Sequence, residues 1–317
     1  MLFRVCVRLI AGVFFLIWLG GCATPQTQSL LKTSARQLPQ QVELSEVPFY
    51  PQETHQCGPA SLAMALGAGG GVQVTPQDLT PQVYLPGLSG SLQVEMLAAT
   101  RRNGLLAYEL APKLDDLLTE VADGSPVVVL QNLALSWYPV WHYAVVVGYD
   151  LKREEIILRS GLERRQVLPL TTFEHTWERA GYWAMLALPP GRMPRTATEA
   201  AYVASAVALE KTAPPKSAEA TYEAALKRWP RNLSARIGLG NAAYAQGDWK
   251  RAEKAYLQAT LDHPKSAIAF NNLAQTLAEQ KRYPEALVLA NKAVLLGGPE
   301  QDAARNTLDQ IRNKLRK

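Results

Sequence analysis

A 34-residue period in its last third constrains this 317-residue chain more than any other feature. Written over Ala267–Glu300, the segment Leu233–Ser266 sets Leu239 on Leu273, Gly240 on Ala274, Trp249 on Tyr283, Ala252 on Ala286, Tyr256 on Ala290 and Ala259 on Ala293. One period further back, Ala218, Tyr222, Ala225 and Pro230 fall under Ala252, Tyr256, Ala259 and Pro264, although Pro214-Pro215 interrupts the turn of that first unit. Small residues at fixed positions let two antiparallel helices approach, aromatics fill the space beside them, and units of this size bury their apolar faces only by stacking. The pattern predicts an all-α solenoid over 199–317, closed by a polar-faced terminal helix at Asp302–Leu315. Upstream, Pro189-Pro190-Gly191-Arg192-Met193-Pro194 breaks every periodicity, and 189–198 reads as an interdomain linker.

This period and pattern resemble the tetratricopeptide repeat. The resemblance implies a concave groove that takes a peptide or protein partner; a spacer and a dimerisation module are the plainer alternatives.

At the other end, Met1–Gly21 carries Arg4 and Arg8, an unbroken apolar run of 11 residues from Leu9 to Leu19, and then small residues. That is the layout of an export signal, with a core too short to span a bilayer. It ends in Leu19-Gly20-Gly21-Cys22, which resembles the lipobox of bacterial lipoproteins. The resemblance implies removal of 1–21 as a lipoprotein signal peptide and lipidation of Cys22. With Ala23 rather than Asp next, it also implies anchoring to the outer membrane, facing the periplasm. An ordinary secretory signal cut nearby is the alternative. Residues 22–46, polar and rich in Pro and Gln without a sustained period, read as a lipidated tether.

Once Cys6 leaves with the signal and Cys22 is consumed by lipid, Cys57 is the thiol that remains, so an internal disulfide and a multi-cysteine metal site are excluded. No cofactor is expected. Without the first 21 residues the chain has 31 basic against 28 acidic residues, a balance that does not suggest a nucleic-acid partner. Gly67–Gly71 lacks the lysine of a phosphate-binding loop and reads as a turn, so no nucleotide site is expected either.

Between the two ends, 47–188 reads as an α+β domain. Cys57–Leu66, a segment opened by Thr75-Pro76-Gln77-Asp78, Leu92–Arg101 and Leu114–Ala122 carry helical patterns. Val127–Gln131, His142–Gly148, Ile156–Leu158, Val167–Leu170 and Trp183–Leu188 carry strand patterns.

The chemistry concentrates in Gln52-Glu53-Thr54-His55-Gln56-Cys57-Gly58-Pro59-Ala60-Ser61-Leu62-Ala63-Met64. A cysteine opening a helix meets free backbone N–H groups and the positive end of the helix dipole, which stabilise a thiolate. Of the four histidines, His55 lies too near Cys57 to pair easily, His175 falls in a helical stretch, and His263 precedes Pro264 at the end of a repeat. His142, opening the strand Trp141-His142-Tyr143-Ala144-Val145-Val146-Val147-Gly148-Tyr149-Asp150, is the candidate base.

Together these two motifs, in this order, resemble the papain-like bacteriocin-processing peptidases over about Val47–Leu188. The resemblance implies a papain-like cysteine peptidase fold with Cys57 as nucleophile, His142 as base and Gln52 as oxyanion donor. Three departures stand out. Gln52 lies five residues before Cys57 where six is usual, so Gln56 is an alternative donor. The position of the family's orienting Asp holds Ser160, with Asn132 as another possible orienting group; Asp150, eight residues along the strand, is assigned to the hairpin turn. No transporter or ATPase segment accompanies the domain.

Three readings follow. The first is a lipid-anchored periplasmic cysteine peptidase whose repeats recruit a substrate or partner. The second is a non-catalytic scaffold lipoprotein with a degenerate peptidase domain, motivated by Ser160, and the third an acyltransferase or amidase using the same thiol. Trp137, Tyr138, Pro139 and Trp141, just before His142, either wall a substrate cleft or belong to the core.

Overall fold

In a computed structural model describing residues 24–33, 37–52 and 56–316, the segment expected to be a tether is docked onto the domain. Helix α1 (Pro25–Lys32) begins where the Glu174 carboxylate accepts from the backbone N–H groups of Gln26 (2.9 Å) and Thr27 (2.7 Å). A remote acid thus serves the helix start as a capping side chain would. Leu30 of this helix is fully buried, which contributes roughly 2 kcal/mol. Strand β1 (Gln41–Glu43) then pairs with the far end of a long strand, Gln41 opposite Asp150 and Glu43 opposite Gly148. No local period betrays these elements, because their partners lie far along the chain. The signal peptide at 1–21 and the lipidation of Cys22 fall outside the described residues.

Next come α2 (Cys57–Gly70), α3 (Pro76–Val83), the small hairpin β2 (Tyr84–Leu85) and β3 (Gly90–Ser91), and α4 (Gln93–Arg102). Thr75 and Asp78 form a reciprocal capping box at α3, as the sequence there predicts. The rest of the domain is β4 (Leu106–Glu109), α5 (Leu114–Ala122), β5 (Val127–Asn132), β6 (Trp141–Asp150), β7 (Glu155–Ser160), β8 (Glu163–Pro169), α6 (Leu170–Glu178) and β9 (Ala184–Leu188). The expected strand at Val167–Leu170 lies within β8, except that Leu170 opens α6; β4 had no sequence expectation.

The strands form one antiparallel sheet in the order β4-β9-β5-β6-β7-β8, with β1 continuing the column of β5 along β6. Alternate residues feed two cores. Val127, Val129, Ala144, Val146, Ile156 and Leu158 face α1, α5 and α6. Val128, Val145, Val147, Ile157 and Met185 face α2, α3 and α4.

The repeats follow as α7 (Glu199–Glu210), α8 (Pro215–Arg228), α9 (Leu233–Ala245), α10 (Trp249–Asp262), α11 (Ala267–Glu279), α12 (Tyr283–Leu296) and the terminal α13 (Gln301–Leu315). Thr198, Asn232 and Ser266, spaced by the same period, each accept from the backbone N–H three residues on and start the first helix of each unit. Pro214-Pro215, which interrupts the sequence pattern, is harmless to the fold because Pro215 occupies the first turn of α8, where its missing N–H costs nothing.

Residues 189–198 are not a free linker. Thr196 donates from its backbone N–H and its hydroxyl to Glu120 Oε1 at 2.7 Å, and the Arg192 guanidinium donates to the Asp123 carbonyl at 3.0 Å. Tyr202, Val203 and Ala206 of α7 share one core with Leu106, Tyr108 and Leu188 of the sheet. The first repeat is built onto the sheet face opposite α2.

Gly240 shows how tightly the repeat helices pack: a Cβ there would lie 2.3 Å from Cε1 of the buried Tyr256 ring. Gly240→Val is expected to lower stability by about 1–3 kcal/mol. Thermal unfolding checks this, and an unchanged transition would show that α9 and α10 do not pack through that ring.

Candidate active site

Cys57 is the first residue of α2, so its own N–H and that of Gly58 have no helical acceptor. Both face the sulfur, and they are joined by the backbone N–H of Tyr143. The register explains that third donor. Tyr143 sits opposite Leu130 on β5, and its carbonyl accepts from Gln52 Nε2 at 3.1 Å, so its backbone polar groups point away from β5 towards the β7 side. There β6 has lost its neighbour, because the β6–β7 ladder ends at Val145 opposite Arg159. The gap between the diverging strands receives Gln52 and the start of α2.

Gln52 spans that gap. Its Oε1 accepts from the Gly161 N–H at 2.7 Å, its backbone N–H donates to the Gly161 carbonyl at 2.9 Å, and its Nε2 donates to Tyr143 O and, at 2.9 Å, to Ser61 Oγ. One definite donor and one definite acceptor fix the orientation of the amide. Gln52 lines the cleft, yet both of its amide protons are engaged, which differs from the free oxyanion donor expected from the sequence. Gln56 makes no capping bond and no other side-chain hydrogen bond among the described residues. It precedes Cys57 in the chain but is not among the residues that line the cleft.

His142, on the overhanging end of β6, has Nε2 3.0 Å from Ser160 Oγ, at the last residue of β7. Nδ1 is then the nitrogen left for the thiol. A hydroxyl can donate or accept, so unlike a carboxylate it does not force the tautomer with a bare Nδ1. Asn132 does not orient the imidazole: its Oδ1 accepts from Ala134 N and Val140 N and its Nδ2 donates to Leu135 O, shaping the β5–β6 loop. Asp150 accepts from the Arg153 N–H in the hairpin, as its position predicts. His175 lies beside Glu178, and His263 against the Arg231 carbonyl. His55 is outside the described residues.

Cys57, His142, Gln52 and Trp141 line one cleft of about 740 Å³, whose opposite wall is the β2–β3 hairpin and the start of α4, including Leu88, Ser91 and Leu92. Among the described residues, no carboxylate, lysine or arginine lines it. Gly58 is required for this packing, since a Cβ would lie 2.3 Å from Ser91 Oγ. Burial pushes the Cys57 thiol up, against the three N–H groups that favour its anion, and burial pushes the His142 imidazole down. For the thiol, desolvation is the larger influence, ahead of the N–H groups at the helix start. Trp137, Tyr138 and Trp141 are 80%, 68% and 54% exposed and so are not core; Trp141 walls the cleft.

The bridging role of Gln52 and the Tyr143 N–H had no sequence signal beyond the five-residue spacing to Cys57, because both depend on where β7 leaves β6.

Comparison with known proteins divides the chain at the same place as the fold. The Peptidase_C39 like family model matches residues 44–185, and the tetratricopeptide repeat model matches 204–262 and 237–304. No curated protein matches the chain significantly. Among solved structures, a C39-like peptidase from Bacillus anthracis is 21% identical with a TM-score of 0.39, the match covering 47% of this chain and 98% of that one. The type III secretion translocator chaperone SycD of Yersinia enterocolitica is 18% identical with a TM-score of 0.35, covering 37% of this chain and 84% of that one. The OM64 repeat domain of Arabidopsis is 20% identical with a TM-score of 0.34, covering 36% and 94%. Residues 44–185 of this chain are therefore a Peptidase_C39-like domain, and the helices that follow are tetratricopeptide repeats.

Proposed function

We propose that the protein is a lipid-anchored cysteine peptidase of the bacterial cell envelope, held at the outer membrane through Cys22 and facing the periplasm, with its repeats recruiting a peptide or protein. The observation that carries the catalytic part is the cleft itself: the helix-opening Cys57 and His142, with Ser160 on the far nitrogen of its ring, line one pocket. The Peptidase_C39-like domain supports the same reading.

In the reaction, His142 Nδ1 takes the Cys57 proton as the sulfur attacks the scissile carbonyl carbon, and the oxyanion is met by the Cys57 N–H and the Gln56 amide. The imidazolium gives its proton to the departing amine, leaving an acyl-enzyme. Water activated by His142 then releases the acid and restores the thiol. In this reading the resting pair is neutral, so charge separation accompanies attack instead of preceding it. On the repeats, a recess of about 250 Å³ lined by Asn241, Tyr244, Tyr256, Asn272 and Gln275 offers amides and phenols to a bound segment.

One observation favours a non-catalytic scaffold instead: His142 has a hydroxyl where a carboxylate would favour imidazolium. Cys57→Ala separates the two readings. It is expected to abolish peptide cleavage with unfolding unchanged, whereas a scaffold would lose its cellular role only on removal of the repeats. The two glutamines are expected to differ. Gln56→Ala lowers kcat by about 10²-fold with the fold intact, while Gln52→Ala lowers both activity and thermal stability; equal stability for both would remove the bridging role from Gln52.

Alkylation by iodoacetamide reads the resting charge state directly. In the wild type the rate is expected to rise with pH through a midpoint above that of an unperturbed thiol, because burial raises the folded pKa and the anion appears only above it. Ser160→Asp is expected to move that midpoint down, since a carboxylate on Nε2 stabilises imidazolium and imidazolium stabilises thiolate. Fast alkylation of the wild type at pH 5 would show a preformed ion pair.

A further inference from the structure

We propose that the β5–β6 loop, residues 133–140, with Trp141 at the start of β6, is a bilayer-facing surface that seats the mouth of the cleft against lipid. The reading rests on the lipidation of Cys22.

The loop contains no charged residue and exposes Leu133, Leu135, Trp137, Tyr138, Val140 and Trp141. Of these, Trp141 alone lines the cleft, so the others are not substrate walls. Nor does slack chain expose them. Asn132 Oδ1 accepts from two loop N–H groups, Leu133 N donates to Val140 O, and Tyr138 N donates to Leu135 O. A pre-shaped loop carrying Trp and Tyr among aliphatics matches the chemistry of the membrane–water interface, where amphipathic rings sit at headgroup depth.

The position of the anchor names the occupant. From outside, Arg179 clamps the base of the loop, donating to the Asn132 carbonyl at 3.0 Å. Five residues earlier in the chain, about 7.5 Å along a helical path, Glu174 holds the start of α1 through Gln26 and Thr27. Gln26 also meets Pro112 O and Leu114 N, just beyond the end of β4. That end lies at the same edge of the sheet as Asn132 and Trp141, because Glu109 pairs with Met185 on β9 and Val129 of β5 pairs with Ala184. Cys22 stands two residues before Thr24, which is already buried against the domain, so the chain between them reaches at most about 7 Å. A lipid on Cys22 is then held close to the domain, and the leaflet that receives it lies at the edge of the sheet from which the aromatic loop projects.

The test uses the chain from Ala23, which contains every residue of the described fold and carries no lipid, with extruded vesicles of phosphatidylethanolamine and phosphatidylglycerol. The wild type is expected to co-sediment with vesicles and to show tryptophan quenching by brominated lipid. Trp137→Ser with Tyr138→Ser, both on exposed positions, is expected to weaken binding at least tenfold and to reduce quenching, with unfolding unchanged. Absence of vesicle binding by the wild type overturns the proposal, as does equal binding by the variant. So does a variant that keeps vesicle binding but loses peptide turnover or changes sedimentation as a dimer, since substrate or a second copy would then be the occupant. Mass analysis of the mature amino terminus reports separately on Cys22. Vesicle binding by the unlipidated chain together with an unmodified Cys22 supports the surface and removes the anchor alone.

Discussion

The end of the β6–β7 ladder is the constraint on which the site depends. A sheet that continued to pair past Val145 would use the backbone groups of Tyr143 for hydrogen bonds to β7, and no sulfur could approach them. Because β7 diverges, those groups are left for other elements: Gln52 donates to the carbonyl, and the N–H acts on the Cys57 thiol, favouring its anion. Gln52 also replaces a strand in tying β6 to the β7–β8 turn, through three hydrogen bonds with Tyr143 and Gly161. The interactions that position the nucleophile are thus the ones that keep the sheet from closing.

The sheet carries a separate core on each face. One core holds α2 and hence Cys57; the other holds α5, α6, the N-terminal helix and the first repeat. Strands β5 and β6 supply alternate residues to both, so a cavity on the repeat side loosens the layer that carries His142.

How much of this the sequence disclosed follows from the range of each interaction. The repeats were legible because their contacts recur at a fixed spacing; the caps Thr198, Asn232 and Ser266 keep that spacing too, but only the structure singles them out. Cys57 and His142 stood out because each opens a regular element of recognisable pattern. The docking of residues 24–33 and 41–43 was not legible: the polar composition says tether, and the start of the helix is held by the Glu174 carboxylate, 147 residues away from Thr27. The 189–198 segment misled in the same way, since its prolines break periodicity while Glu120, fully buried in α5, holds it in place. Gln52 was identified as important, but its task rests on Gly161 and Tyr143, which no local pattern ties to it.

In the proposed peptidase, the fused repeats and the burial of the thiol bear on each other. Burial pushes the thiol up and the imidazole down, so in the proposed peptidase a substrate carbonyl and its donors would have to stabilise the charge made on attack. Rigid attachment of the repeats to the sheet offsets this in another currency. Under that proposal, a substrate segment held at the recess of Asn241, Tyr256 and Asn272 would meet the thiol at an effective concentration set by geometry rather than by bulk diffusion. The proposed site would favour chains long enough to reach both places. A short peptide that fills the cleft alone would forfeit that gain.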